Sequence, residues 1–335
     1  MKASKIIARK FIFPTIIKTG LEKKWRNNNN NYILNILYHG VVSEDSSYFS
    51  PRHITKELFE RHLKYFVKEF DIISLPEAFD IYRNKKTIKR KAITISFDDG
   101  YKNNLNIALP LLEKYNIKTT FFISSVLTKE MELRTLWADV IACLRFSYKN
   151  KNIEIGNYRF NNFIEESSNM SIENFLKTRD TDMRDELLEL LIKKYNIQNL
   201  IKQLPNEIWE FLNKEEFQKL ASSNIVDIGS HGNLHYNLGN IKIEDARNDM
   251  NISKKLLEGL IDKKIDMIAY PDGSYTQNVL DVASELGYDK QLAVDYRLKN
   301  DVDDKRLLPR LGVSSTTTYE SNIFYINKAF QTKGF

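Results

Sequence analysis

The sequence predicts a parallel α/β fold, either an open sheet or, as the placement of its polar clusters weakly favours, a barrel of the (β/α) type, with a helix-rich insertion. Two observations predict it. Short apolar runs alternate with amphipathic stretches over about seven units, the pattern of parallel strands joined by crossover helices. The polar clusters able to do chemistry follow directly on apolar runs, and barrels of this kind gather their sites at the carboxyl ends of their strands.

Tyr32–Tyr38 is apolar at nearly every position, as a strand buried on both faces should be. Thr55–Phe70 places Leu58, Phe59, His62, Leu63 and Phe66 on one helical face. Asp71–Ser74, Ala92–Phe97, Lys118–Ile123, Val226–Gly229, Ile265–Tyr270 and Gln291–Asp295 are the further expected strands. Asn103–Tyr115, Ile243–Ile261 and Gln277–Leu286 are the expected helices between them. Residues 128–222 interrupt the rhythm and read as an insertion, with helices over Leu133–Phe146, Ile172–Tyr195 and Pro205–Ser222 and a small hairpin over Asn152–Phe160.

The net charge of +6 is uneven. Residues 1–26 hold eight basic side chains against Glu22 alone, which leaves the other 309 residues at a net charge of −1. A neutral body argues against a nucleic-acid enzyme, which carries positive charge around its site. The single cysteine, Cys143, excludes an intramolecular disulfide framework and a cysteine metal cage. The organisation expected is a basic segment and Asn-rich linker over 1–31, then a catalytic domain over 32–335 that includes the insertion. The apolar runs of the basic segment are too short to span a bilayer and make a poor signal peptide. Two readings of it stand: a helix packed on the body, or a basic amphipathic segment resting on an anionic membrane surface.

Asp98 and Asp99 close the run Ala92–Phe97 and are followed by Gly100, a sequence that also serves ordinary turns. Side chains alternate along a strand, so the two carboxylates are expected to diverge, one holding a metal and one free as a base. His231 and His235 are four residues apart, a spacing that places both imidazoles on one side if the segment turns helically. Two imidazoles and one carboxylate leave metal positions open for water and substrate. Zinc or a similar ion there brings the pKa of bound water to about 7 and polarises a carbonyl. Ala269–Tyr275 reads as a turn after a strand, and a backbone N–H near Asp272 is placed to meet a developing oxyanion.

Thr94–Gly100, Ser230–His235 and Ala269–Gly273, in that order, resemble the first three motifs of the polysaccharide deacetylase family, the NodB-homology domains of carbohydrate esterase family four. Ile36–Val41 and Phe59–Ser74 are similar to that family's N-terminal segment, so the likeness runs from about Tyr32 to Val313 with the insertion outside it. The resemblance implies a distorted (β/α)7-type barrel with a helix-rich insertion, in which Asp99, His231 and His235 hold the metal and Asp98 is the general base. Two departures stand out. The arginine usual ahead of the third motif's proline is absent, and Arg310 is the candidate to orient Asp98 in its place. No histidine follows His235, whereas common members end on a histidine that protonates the leaving amine. His39, at the end of the first strand, is the replacement expected. The branch acting on poly-N-acetylglucosamine is similar, with Tyr-His on its first strand. His53 and His62 read as ordinary packing or surface residues.

The function expected is a metal-dependent hydrolase that removes N-acetyl groups from amino sugars of a polysaccharide or glycolipid. Zinc is the metal expected, with cobalt or nickel as substitutes. Tyr270, Pro271, Tyr275, Trp137 and Asp139 are candidates for the sugar groove. A sugar O-deacetylase or deformylase, and a glycan-binding homologue without turnover, are the alternatives. The expected location is the cytoplasm, at the inner membrane face if residues 1–26 make peripheral contact there.

Overall fold

The computed structural model of the chain describes residues 7–28, 32–128 and 135–335. Residues 1–6 of the basic segment, Asn29–Asn31 of the linker and the first two residues of the expected helix Leu133–Phe146 lie outside the described residues.

Parallel strands form one sheet in the spatial order Leu307–Pro309, Lys290–Ala293, Met267–Ala269, Val226–Ser230, Thr119–Ile123, Ala92–Phe97, Ile33–Tyr38, Leu311–Gly312. The two ends of that order are separated in the chain only by Arg310. Leu307–Pro309 pairs with Lys290–Ala293, while Leu311–Gly312 pairs with Ile33–Tyr38. One stretch therefore touches both edges, and the sheet curls into a nearly closed barrel of seven strands, the last interrupted. Ile33–Tyr38 is buried at all six positions, as a run that is apolar everywhere but Asn35 requires. Inside the barrel Thr94 Oγ1 donates to Asn35 Oδ1 (2.7 Å), and Asn35 Nδ2 donates to the Pro309 carbonyl (3.0 Å), so the closing strand is held across the interior.

The helices around the barrel begin where the sequence supplies caps. Thr55 accepts from Leu58 N ahead of Lys56–Glu69, and Thr276 from Val279 N ahead of Gln277–Glu285. Asn104–Lys114 is helical as expected, with its first half, Asn104–Ala108, wound as a π-helix. Several expectations need correction. Asp71–Ser74 shrinks to the two-residue strand Asp71–Ile72, because Ser74 caps an unforeseen helix, Leu75–Asn84, with Pro76 in its first turn. Ile172–Tyr195 is two helices, Ile172–Lys177 and Thr181–Lys194, since Asp180 caps the second. Pro205–Ser222 divides into a short 3-10 turn, Asn206–Ile208, and an α-helix, Lys214–Ala221, where Asn213 and Glu216 form a capping box.

Between Thr119–Ile123 and Val226–Ser230 the described residues build their own apolar cluster, including Trp137, Val140, Leu144, Phe160, Phe175 and Leu191, which Val42 and Phe49 join from the barrel side. The hairpin Ile153–Ile155 with Tyr158–Asn161 is present and gains a third strand, Ile164–Glu165. At the other end of the chain, Glu22–Asn27 and the helix before it pack on the helix Tyr319–Ala329. Phe13 stacks on Phe324 at 4.4 Å between ring centroids, and Lys23 and Arg26 both reach Glu69.

Candidate metal and hydrolytic site

Three strand ends supply the site. Asp98 continues its strand, donating its N–H to the Tyr38 carbonyl, whereas Asp99 turns out of it with φ 78°. The expected divergence of the two carboxylates is not what forms. Both face His231 Nε2, Asp99 Oδ1 at 3.4 Å and Asp98 Oδ2 at 3.8 Å. Their partners, not strand alternation, separate them. Asp99 Oδ1 also lies 3.3 Å from His235 Nε2. Asp98 instead receives both arms of Arg310, Nη1 to Oδ1 at 2.6 Å and Nη2 to Oδ2 at 2.8 Å. Burial pushes the Asp98 carboxyl up, but Arg310 and then His231 overcome it and hold the group below its ordinary range.

His231 and His235 do not sit on a helical turn. Ser230–His235 is an irregular loop folded around the buried carboxylate of Asp249, which accepts the N–H groups of Asn233 (2.8 Å) and Leu234 (3.0 Å). Gly232 at φ 74° and His235 at φ 54° make the bend. Ser125 ties the loop to the neighbouring strand end, through its N–H to the Gly232 carbonyl and its hydroxyl to Asn233.

The donor set fits a divalent cation. Ligand atoms of Asp99, His231 and His235, all buried, lie within 4.8 Å of one another. His231 Nδ1 donates to the Ala269 carbonyl at 2.8 Å, which leaves the Nε2 lone pair turned toward Asp99. Asp99 Oδ1 is buried and accepts no hydrogen bond. A buried carboxylate oxygen facing two imidazole nitrogens without a donor is costly unless a cation lies between them.

The site opens into a cavity of about 670 Å³. The family model for polysaccharide deacetylases matches residues 85–290, more than half of the chain and spanning all three motif regions. The chain belongs to the polysaccharide deacetylase family. It is 21% identical over 254 residues to "Putative polysaccharide deacetylase YxkH" of Bacillus subtilis (strain 168), covering 76% of this chain and 61% of that protein, so it spans under two thirds of its relative's length. Two solved structures share the fold. A Streptococcus pyogenes deacetylase in complex with acetate superposes with TM-score 0.57 at 16% identity, covering 90% of this chain and 98% of that one. A de-N-acetylase from Aggregatibacter actinomycetemcomitans gives 0.55 at 19%, covering 87% and 99%.

The remaining candidates of this deacetylase-family chain divide into two groups. His39, half-buried, lines the cavity, as do Trp137, Tyr270 and Asp272. Burial pushes the His39 imidazole below its ordinary value against the pull of Asp99 and Asp98. Asp272 sits at φ 54° in the turn with its carboxylate on Lys177 Nζ (2.9 Å). The N–H groups of Gly273 and Ser274 are used inside that turn, and that of Asp272 has no partner among the described residues. Pro271, Tyr275 and Asp139, the other candidates for the sugar groove, are not among the residues that line the cavity. Pro271 is buried, and Tyr275 Oη donates to Asp301. Asp139 is wholly buried, where it accepts from Tyr101 Oη and pairs with Arg52. His53 and His62 are buried packing residues, on the Ile208 carbonyl and Tyr38 Oη respectively.

Sequence reasoning missed Arg52, which lines the cavity with its guanidinium fixed by Asp139 and by Ser50 Oγ (3.0 Å). It missed Lys177 and Asp249 as well. Trp137 and Asp139 in one helical turn were the only signal for the Arg52 contact, whose partners stand 87 residues apart.

Proposed function

We propose that this chain removes N-acetyl groups from amino sugars of a glycan or glycolipid, and that zinc is the ion held by Asp99, His231 and His235. One observation carries the reading: a base clamped by a buried guanidinium stands beside a three-ligand cluster at the floor of a cavity of ordinary small-ligand size. Four-coordinate zinc with bonds of about 2.0–2.1 Å separates its ligand atoms by about 3.3–3.4 Å. Both spacings from Asp99 Oδ1 match, at 3.4 and 3.3 Å.

When bound, the cation supplies Lewis acidity to the acetyl carbonyl and acidity to a water molecule. Asp98 takes the proton of the attacking water, and Arg310 keeps that carboxylate ionised and aimed. The free N–H of Asp272 meets the oxygen on which charge develops. Asp98 then passes on the proton it took from water, and His39, which lines the same cavity, delivers it to the departing amine. Trp137 provides an apolar wall for a sugar face.

Acetate release from poly-N-acetylglucosamine and N-acetylated glycolipids, measured on metal-stripped and zinc- or cobalt-reloaded protein, tests the reading. Release that needs the metal and falls roughly 10²–10⁴-fold in Asp98→Asn is expected. Release only from O-acetylated or formylated sugars, or none with either metal, overturns it.

A further inference from the structure

Residues 7–28 carry a surface that the hydrolytic site does not use. The inward side of this segment is satisfied: Phe13 stacks on Phe324 and meets Tyr325 edge-on at 5.6 Å, and Trp25 meets Phe324 at 5.2 Å. The other side remains bare. Ile7, Phe11 and Ile12 are 53%, 67% and 48% exposed, with Leu21 and, beside Phe13, Tyr325 also exposed. Soluble surfaces scatter such side chains singly; a run of them marks a contact.

Charge identifies the contact. Lys18 and Lys24 are exposed and have no acidic partner among the described residues. Lys18 stands in the helix Phe13–Thr19 that follows Phe11 and Ile12 and, like them, faces solvent. Glu22, the sole carboxylate of the segment, is buried. A symmetric contact between two copies would bring these cations toward each other. Apolar side chains framed by unneutralised lysines instead suit an interface that is oily at one depth and anionic at the next.

We propose that this face, Ile7, Phe11, Ile12 and Leu21 with Lys18 and Lys24, seats the protein on an anionic phospholipid surface. The proposal stands apart from the deacetylase reading, because binding is read without substrate or turnover.

Co-sedimentation of the full chain with vesicles tests it, using phosphatidylcholine with about 30% phosphatidylglycerol against phosphatidylcholine alone. The native chain is expected to bind the anionic vesicles, to be released by salt, and to ignore the neutral ones. Phe11→Ser with Ile12→Ser, and separately Lys18→Glu with Lys24→Glu, should each cut partitioning roughly tenfold or more. Circular dichroism and thermal unfolding of both variants should match the native protein, since every altered side chain is exposed. Absence of native binding, equal binding to both vesicle types, or full binding by either variant overturns the proposal. So does a lipid-free dimer that Phe11→Ser with Ile12→Ser converts to monomer.

Discussion

Two aspartates adjacent in sequence owe their different characters to what each one faces. Asp98 is buried against Arg310, itself fully enclosed, so removing the guanidinium leaves a buried carboxylate without its charge partner. Arg310→Gln should cost about 3–5 kcal/mol in thermal or urea unfolding, and Arg310→Gln with Asp98→Asn should recover most of it. A loss in the double variant as large as in the single one would show that packing, not charge, is at stake. A second buried group sets a pH dependence. Burial, then the nearby Arg61 charge, pushes the His62 imidazole down to about 3. The unfolded chain binds that proton near pH 6.5 and the folded chain refuses it, so stability present above pH 6.5 is lost as pH falls toward 3. The slope is at most about 1.4 kcal/mol per pH unit. His62→Gln should remove this component, seen as a shallower fall of the urea midpoint between pH 7 and pH 5.

Among the elements, the helical segment over the cavity is joined to the barrel on two sides, through Arg52 to Asp139 and through Lys177 to Asp272. The first is buried at its acidic end, unlike the half-exposed Arg145–Glu173 pair within the segment. Arg52→Met is therefore expected to destabilise by about 3–5 kcal/mol, and Arg145→Met by no more than about 1 kcal/mol. Differential scanning calorimetry distinguishes them. The loop that carries both histidines has its own weak point at Gly232, where a Cβ would stand 2.7 Å from Asp249 Oδ2 at φ 74°. Gly232→Ala should weaken metal binding in chelator competition more than it lowers stability, because the loop can shift while the barrel stays closed. These contrasts mark what the sequence could disclose. The strands Ile33–Tyr38 and Ala92–Phe97 and the residues Asp98, Asp99, His231 and His235 were legible because apolar runs and motif spacing are local properties. The strand around Arg310 was not, since Leu307–Gly312 is short and carries Pro309 where a ladder donor would stand. Leu75–Asn84 was hidden beside a two-residue strand, and the Arg52–Asp139 contact joins residues that only the folded chain brings together.

For the molecule as a whole, binding of a cation to the folded site alone adds stability by mass action, about 2.7 kcal/mol at a hundredfold excess over Kd. Chelation should lower the unfolding temperature of the native protein and leave Asp99→Asn almost unmoved; equal shifts in both would place the ion elsewhere. Barrel closure and the charge partner of Asp98 come from the same six residues, Leu307–Gly312. Every other piece of the hydrolytic centre has been synthesised by the time Asp272 leaves the ribosome. A nascent or clipped chain ending before residue 306 would thus possess its histidines and aspartates yet lack the cation that arms them. Expression of such a truncation should yield a protein without the Arg310 contact to Asp98, and acetate-release assays on it should read no turnover.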